Sequence, residues 1–322
     1  MNIVIIGAGN WGATLAGVIS PTTPVHLWCR DDQAIARGQA AVAKIAGAKQ
    51  SALQVEPAFT SQLGSDDIVI LAVPSSQVAA ITGRIKKEVS TSYPVLVCAA
   101  KGLDRATFRT MSQVAADVLP QACVAVLSGP NIAGEIAAGR PAKAVLGCND
   151  VNQLIRLSKA IAGDRLHLEM TRDVVDVELC AAMKGVFAIG AGVIRQRNWG
   201  CNFMGLLLTY GLAEIARVAA FLGISTTHVF GIAGLGDMVA TCFSHDSRNH
   251  RLGELLAAGT NLQQALGEVD MVVEGAMTAR IVSEMTALRL RLPLFEAIAL
   301  IVEHPQPQAF ETFERTLLEY TV

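Results

Sequence analysis

Apolar runs and amphipathic stretches alternate along the first half of the chain. Residues 3–6 read IVII, apolar at every position. They are followed by the glycine-bearing GAGNWG and then by an amphipathic stretch. A short run apolar throughout predicts a strand buried on both faces. The same texture predicts strands at 23–30, 67–75, 93–104 (leaving at Lys101–Gly102), from 123 into a Gly-Pro turn, and over AKAVLGCND. Helices are expected between them, at 31–45, 77–89, 107–119 and after the Gly-Pro turn. Strands and helices in turn, with both strand faces apolar, indicate a parallel sheet covered on both sides.

From about Thr171 the strand-like runs stop. Helical patterns follow over 172–197, 203–223, 247–259, 274–288, 294–304 and 312–320. A chain of 322 residues exceeds the usual size of one core. The expected division is an α/β domain over 1–170 and an all-helical domain over 171–322.

Composition narrows the function. Apolar residues make up 52% and charged residues 17%, which suits a packed globular chain rather than a disordered one. The net charge of -2 lacks the basic field of a nucleic-acid binder. The seven cysteines are scattered without a C-x-x-C pair, as in a reduced, cytoplasmic protein. The histidines show no metal-ligand spacing, so no metal is expected. The first apolar run reads as a strand rather than a secretory leader. No uninterrupted apolar run reaches the roughly 18 residues of a membrane span, so no membrane insertion is expected.

Gly7, Gly9 and Gly12 form G-x-G-x-x-G between the first strand and the first helix. In that setting the glycines allow a tight turn, close approach of a pyrophosphate and close helix packing, with free N–H groups at the helix start. The reading is a dinucleotide site. Asn10 and Trp11 lie within the turn, and Trp11 serves either the ligand or the helix as a lid. Pro74 and Ser75 follow a strand at the carboxyl edge, where ligands gather. The second strand ends in Arg30, followed by Asp31. Arg30 suits a 2'-phosphate, whereas Asp31 suits a helix cap, so NADP is favoured over NAD.

The helical half holds polar islands: Lys184 in the apolar ELCAAMKGVFAIGAG, Asn202, Asp237 in GLGD, and Ser247, Arg248 and Asn249 in SHDSRN. A buried ammonium is costly unless something pairs with it or needs it. Lys184 and Arg248, with amide and hydroxyl donors, suit a small phosphorylated substrate. Asp237 could orient Lys184 or hold a turn, and Arg248 could cap a helix. Lys101, at a strand end of the first domain, is a further candidate.

The chain resembles the bacterial NAD(P)-dependent sn-glycerol-3-phosphate dehydrogenase family over nearly its whole length. The motifs are GAGNWGATLA, LWCRD, AVPS, KGL, LSGPNIAGEIAAGRPAKAV, DVELCAAMKGVFAIGAG, GIAGLGDMVATCFSHDSRNHRLG and VVEGAMTA. The resemblance implies a Rossmann-type domain followed by a helical domain, as in the 6-phosphogluconate-dehydrogenase-like folds. It implies reversible reduction of dihydroxyacetone phosphate to sn-glycerol 3-phosphate for glycerophospholipid synthesis, by a homodimer. It makes Lys184 the proton donor and acceptor, with Lys101 and Asp237 beside it. It places Lys101, Gly129, Asn131, Asp237, Ser247, Arg248 and Asn249 at the substrate. It places Gly7, Gly9, Asn10, Trp11, Gly12, Arg30, Pro74, Lys101, Ala133, Arg248 and Glu274 at the cofactor.

Several positions depart from the family pattern. Gly185 stands where Asn is usual, Asn10 and Asn131 where Ser or Thr is usual, and Asp176 often where Gly stands. Met204 and Tyr210 replace a lysine and an arginine. These changes leave two other readings open. One is a dehydrogenase for a different small phosphorylated, phosphonylated or hydroxy-acid substrate. The other is a non-catalytic NADP-binding protein.

Overall fold

The computed structural model of the chain describes every residue except 20, 46–47, 49–51, 60–62, 90–91, 270–271, 287–289 and 322. The chain divides into two compact units. The first comprises Met1–Ala100 and Met111–Val175; the second comprises Lys101–Thr110 and Asp176–Val322. The division therefore falls a few residues beyond the expected 170, and the short segment after Ala100 leaves the first unit for the second. Its physical cause is Leu103, which is buried in the helical core.

The first unit is built on β1 (Ile3–Ile6), β2 (Val25–Cys29), β3 (Leu53–Pro57), β4 (Ile68–Leu71), β5 (Val95–Cys98), β6 (Val124–Ser128), β7 (Ala142–Cys148) and β8 (Leu166–Thr171). These form one eight-stranded sheet in the order β3-β2-β1-β4-β5-β6-β7-β8. Ile3 pairs with both Val25 and Ile68, so β1 is central. Ile3 and Ile5 enter one hydrophobic core and Val4 and Ile6 another. That is the two-sided burial the uninterrupted apolar run requires. The flanking helices are α1 (Asn10–Ile19), α2 (Asp32–Ala43), α3 (Val78–Glu88), α4 (Met111–Val118), α5 (Ala133–Ala137) and α6 (Val151–Ile161).

The sheet differs from the expected one in three ways. It is parallel except at β6–β7, which pair antiparallel. The chain doubles back there after the short α5 instead of crossing over the sheet. The two edge strands, β3 and β8, were not expected, because LQVEP and LHLEMT interleave polar residues with apolar ones. The strand expected at 93–104 stops at Cys98.

The second unit contains α7 (Val174–Gln196, from Asp176), α8 (Gly200–Phe221), α9 (Asp237–Phe243), α10 (Arg248–Ala257), α11 (Leu262–Val269), α12 (Glu274–Thr286), α13 (Pro293–Glu303) and α14 (Pro307–Glu319). The end of the helix expected at 274–288 lies outside the described residues. By length and hydropathy α7 and α8 are each long and apolar enough to cross a membrane, which uninterrupted-run counting missed. The apolar window of α7 is wholly buried within the protein, so its character is that of a core helix. It packs backbone to backbone with α10: a Cβ on Gly192 would strike the His250 carbonyl, and one on Gly253 would strike the Ile189 carbonyl.

A buried carboxylate fixes the far side of this unit. Glu214 on α8 accepts from the Leu294 and Phe295 N–H groups at 2.8 and 2.9 Å, capping α13, and from the Tyr320 hydroxyl at 3.1 Å. Burial pushes its pKa up to about 7, against the pull of those three donors.

Candidate functional site

The residues named from the sequence fall into two groups, one in each unit. In the first, β1 leads into the glycine turn at the point where the strand order reverses between β2 and β4, the usual ligand crevice of such sheets. Gly7 has φ +113°, and a Cβ there would collide with the Ala72 carbonyl beyond β4. A Cβ on Gly12 would collide with the Gly7 carbonyl, so these two glycines are demanded by the turn itself. Gly9 differs: a Cβ there would meet nothing within 4 Å. Its openness is what a backbone approached by a ligand should have. The Gly9 carbonyl accepts the first helical bond, from Ala13 at 2.9 Å. The N–H groups of the first turn of α1 have no acceptor within the helix and are aimed outward, as phosphate binding needs.

Asn10 is exposed, whereas Trp11 is half-buried and packs against the core beside α1. The Thr14 hydroxyl, one turn along α1, donates to the Ala133 carbonyl at 3.4 Å, which ties α5 to α1. Pro74 caps the turn Ser75–Gln77. Gly129, at φ +133°, turns the chain out of β6. Asn131 follows, with both polar side-chain atoms buried and no hydrogen-bond partner among the described residues. A buried, unpartnered amide is costly unless a ligand completes it. At the end of β2, Asp31 caps α2 by accepting from Ala34 N–H at 2.8 Å, and it pairs with the exposed Arg30 at 2.9 Å. The acid is thus spent on the helix, and the side chain left reaching outward is a guanidinium.

In the second unit, Lys184 sits midway along α7 and is buried. Its ammonium donates to Asp237 Oδ1 and to Thr241 Oγ1, the latter at 2.6 Å. Asp237 begins α9 directly after a π-helical turn, Ile232–Gly236, and is itself buried. Its other oxygen, Oδ2, accepts from Lys101 Nζ at 2.9 Å. One carboxylate is therefore clasped between two lysines, leaving a surplus positive charge when both are protonated. Burial lowers the Lys184 pKa to about 7; Asp237 opposes that fall and Lys101 adds to it. Lys101, expected in the first domain, belongs to the second unit.

The start of α10 adjoins this cluster through Gly185. A Cβ on Gly185 would lie 3.0 Å from Asn249 Nδ2 and 3.1 Å from Gly275 Cα. Asn249 Oδ1 accepts from Gly275 N–H at 3.0 Å. Ser247 caps α10 through His250 N–H at 3.2 Å. Arg248 donates to the Val272 carbonyl at 2.9 Å; burial pulls its pKa below the ordinary arginine value, and the Glu274 carboxylate opposes that fall. Sequence reasoning missed Thr241; its only signal was its place four residues after Asp237, one helical turn along the same face. Met204 is buried in the helical core, and Tyr210 stacks on Tyr320 with centroids 4.2 Å apart. Both replaced cations are thus absorbed by packing. Asp176 accepts from His228 N–H at 2.8 Å, a structural tie. Asn202 is exposed on α8.

Comparison with known proteins matches both halves. Residues 2–154 match the family described as NAD-dependent glycerol-3-phosphate dehydrogenase N-terminus, and residues 173–310 match its C-terminus. The glycerol-3-phosphate dehydrogenase, NAD(P)+, of Corynebacterium glutamicum (strain R) is 36% identical over 309 residues, covering 92% of each chain. That of Synechococcus elongatus is 34% identical over 302 residues, covering 93% of this chain and 91% of the relative. The crystal structure of glycerol-3-phosphate dehydrogenase from Coxiella burnetii superposes with a TM-score of 0.89 at 28% identity, covering 99% of this chain and 98% of the other.

Proposed function

Because the chain belongs to the NAD-dependent glycerol-3-phosphate dehydrogenase family, we propose that it reversibly reduces dihydroxyacetone phosphate to sn-glycerol 3-phosphate, with Lys184 as the proton donor and acceptor. The observation that carries this reading is the Lys101–Asp237–Lys184–Thr241 cluster, in which Lys184 and Asp237 are buried. Ketone reduction needs a hydride at carbon and a proton at oxygen. The nicotinamide supplies the hydride when bound. The Lys184 ammonium polarises the carbonyl and then gives up its proton, which a pKa near 7 makes easy in both directions. Asp237 holds the amine in place, and Thr241 fixes a second direction of its N–H fork. Lys101 and Arg248 are the cations for the substrate's phosphate, with Ser247 and Asn249 beside them. Asn131, whose buried amide lacks a partner, takes a polar atom of the bound ligands.

The open Gly9 and the outward N–H groups of α1 fit a pyrophosphate. Gly7, Asn10, Trp11, Gly12, Pro74, Ala133 and Glu274 complete the cofactor's residues in this reading. NADP is preferred over NAD, because Arg30 is the group offered at the end of β2 while Asp31 is engaged as a cap. The product is the backbone of glycerophospholipids, which places the enzyme at the entry to their synthesis. The scattered free thiols suit the cytoplasm. Exposed Phe230 and Phe243 suit a homodimer contact.

The test is oxidation of NADPH by purified protein with dihydroxyacetone phosphate, set against unphosphorylated dihydroxyacetone. The phosphate ester should turn over at least about a hundredfold more efficiently, the worth of one or two charge-assisted contacts. Equal turnover of both ketones, or of neither, overturns the assignment.

A further inference from the structure

The antiparallel seam of the sheet carries two thiols that the reaction does not use. Cys123 lies just before β6, and Cys148 ends β7. Ala125 stands opposite Cys148 in the ladder, so Cys123 is the diagonal neighbour of Cys148 on the same sheet face. Their sulfur atoms are 3.6 Å apart. Cys148 is buried, whereas Cys123 is partly exposed. We propose that Cys123 and Cys148 form a reversible dithiol–disulfide site, oxidised by a hydroperoxide and reduced by a small thiol.

The pair is chemically poised. A thiolate on Cys148 accepts the Cys123 S–H bond, which with the Asp150 backbone N–H brings the Cys148 pKa down to about 7 against the cost of burial. The same bond and burial push Cys123 up. Once one proton has left to solvent, the touching thiol and thiolate share the other, and its transfer moves the charge to the sulfur that solvent can reach. The Cys123 thiolate attacks one peroxide oxygen. The O–O bond breaks, Cys123 becomes a sulfenic acid, and the departing hydroxide takes the proton now on Cys148 and leaves as water. The Cys148 thiolate then attacks Cys123 Sγ, forming S–S and breaking S–O, and a second water departs. Two thiols lose two electrons and two protons, and one hydrogen peroxide becomes two waters. The sulfurs need only close from contact distance to a bond of about 2.05 Å.

The site lies at the start of β6, about 16 Å along the strand from the Gly129 turn, taking some 3.3 Å per residue. Cross-linking therefore pins the seam at the end of β6 away from the Gly129 turn. It closes a loop between residues 25 apart, which restrains the unfolded chain.

The experiment treats the native protein with limiting hydrogen peroxide, blocks remaining thiols without reductant, and maps the digest by mass spectrometry. The expected result is one Cys123–Cys148 linked peptide, regenerated thiols after dithiothreitol, a raised Tm and unchanged turnover. The cross-linking rate should climb as pH rises through about 7. Exposed Cys201 is the internal reference for an ordinary surface thiol. The Cys123→Ser variant should fold, lose the linked peptide and leave Cys148 alkylatable on unfolding. Irreversible acid on Cys123 without a link, or a link formed only in denaturant, overturns the assignment.

Discussion

Replacing Asp237 by Asn removes one charge and keeps the shape. In the native cluster its carboxylate serves Lys184 through one oxygen and Lys101 through the other. The variant leaves two ammonium groups close together with no counter-charge. A unit-charge pair some 4 Å apart is worth about 4 kcal/mol at the effective dielectric of a protein surface, and neighbouring charges shift a pKa by about 1–3 units. Burial already holds Lys184 at about 7, so the loss of Asp237 drives it further down. Above neutral pH the ammonium form then becomes roughly ten- to a thousandfold scarcer. Because the amine can shed its proton, the fold survives and the defect appears in the chemistry. The assay is kcat/KM against pH in both directions, beside a titration of the lysine side-chain carbons by NMR. In the native enzyme, reduction should fall and oxidation should rise as pH increases through about 7. In the variant both midpoints should move to lower pH, together with the NMR midpoint. Midpoints that stay in place or move upward would refute the claim that Asp237 sets the Lys184 proton affinity.

Gly185→Ala puts a methyl 3.0 Å from Asn249 Nδ2 and 3.1 Å from the Gly275 backbone. It should cost about 1–3 kcal/mol, read as a lower urea midpoint at unchanged m. Glu214 has a pKa near 7 folded and the ordinary 4.5 unfolded, so the folded chain binds the extra proton between those values. The stability that its protonation provides is therefore lost as pH rises through that window, by about 3 kcal/mol in all. Glu214→Gln loses cap acceptors and is less stable throughout; the Tm gap between native protein and variant should narrow from about pH 5 to about pH 8. A constant gap would mean that Glu214 is ionised throughout. Arg30→Ala should raise the KM for NADPH about tenfold while sparing NADH, the worth of one charge-assisted contact, and equal effects on both would remove Arg30 from cofactor choice.

The sheet and the glycine turn were legible because both depend on local pattern. A run such as IVII followed by G-x-G-x-x-G leaves few other structures. Strands β3 and β8 escaped because edge positions tolerate Gln54, Glu56, His167 and Glu169, which blur the apolar signal. The reversal at β6–β7 is a matter of pairing between distant segments, which no window of sequence contains. Lys184 stood out because a lone cation interrupts an apolar helix. The unit to which Lys101 belongs was hidden, since burial of Leu103 among helices far along the chain decides it. Thr241 looked like any helical threonine until Lys184 was found beside it. From sequence the replacements at Met204 and Tyr210 fit either a neutral change or a changed substrate; in the fold Met204 is buried in the helical core and Tyr210 stacks on Tyr320.

The most direct test of the account is turnover of dihydroxyacetone phosphate by the native enzyme and by Lys184→Ala, with NADPH binding followed in parallel. The native protein should oxidise NADPH rapidly. The variant should lose about 10²–10⁴-fold in kcat, as expected for a missing general acid, at unchanged NADPH affinity. A variant that binds NADPH and still reduces the ketone at the native rate would contradict the account, because Lys184 would then not be the proton's source.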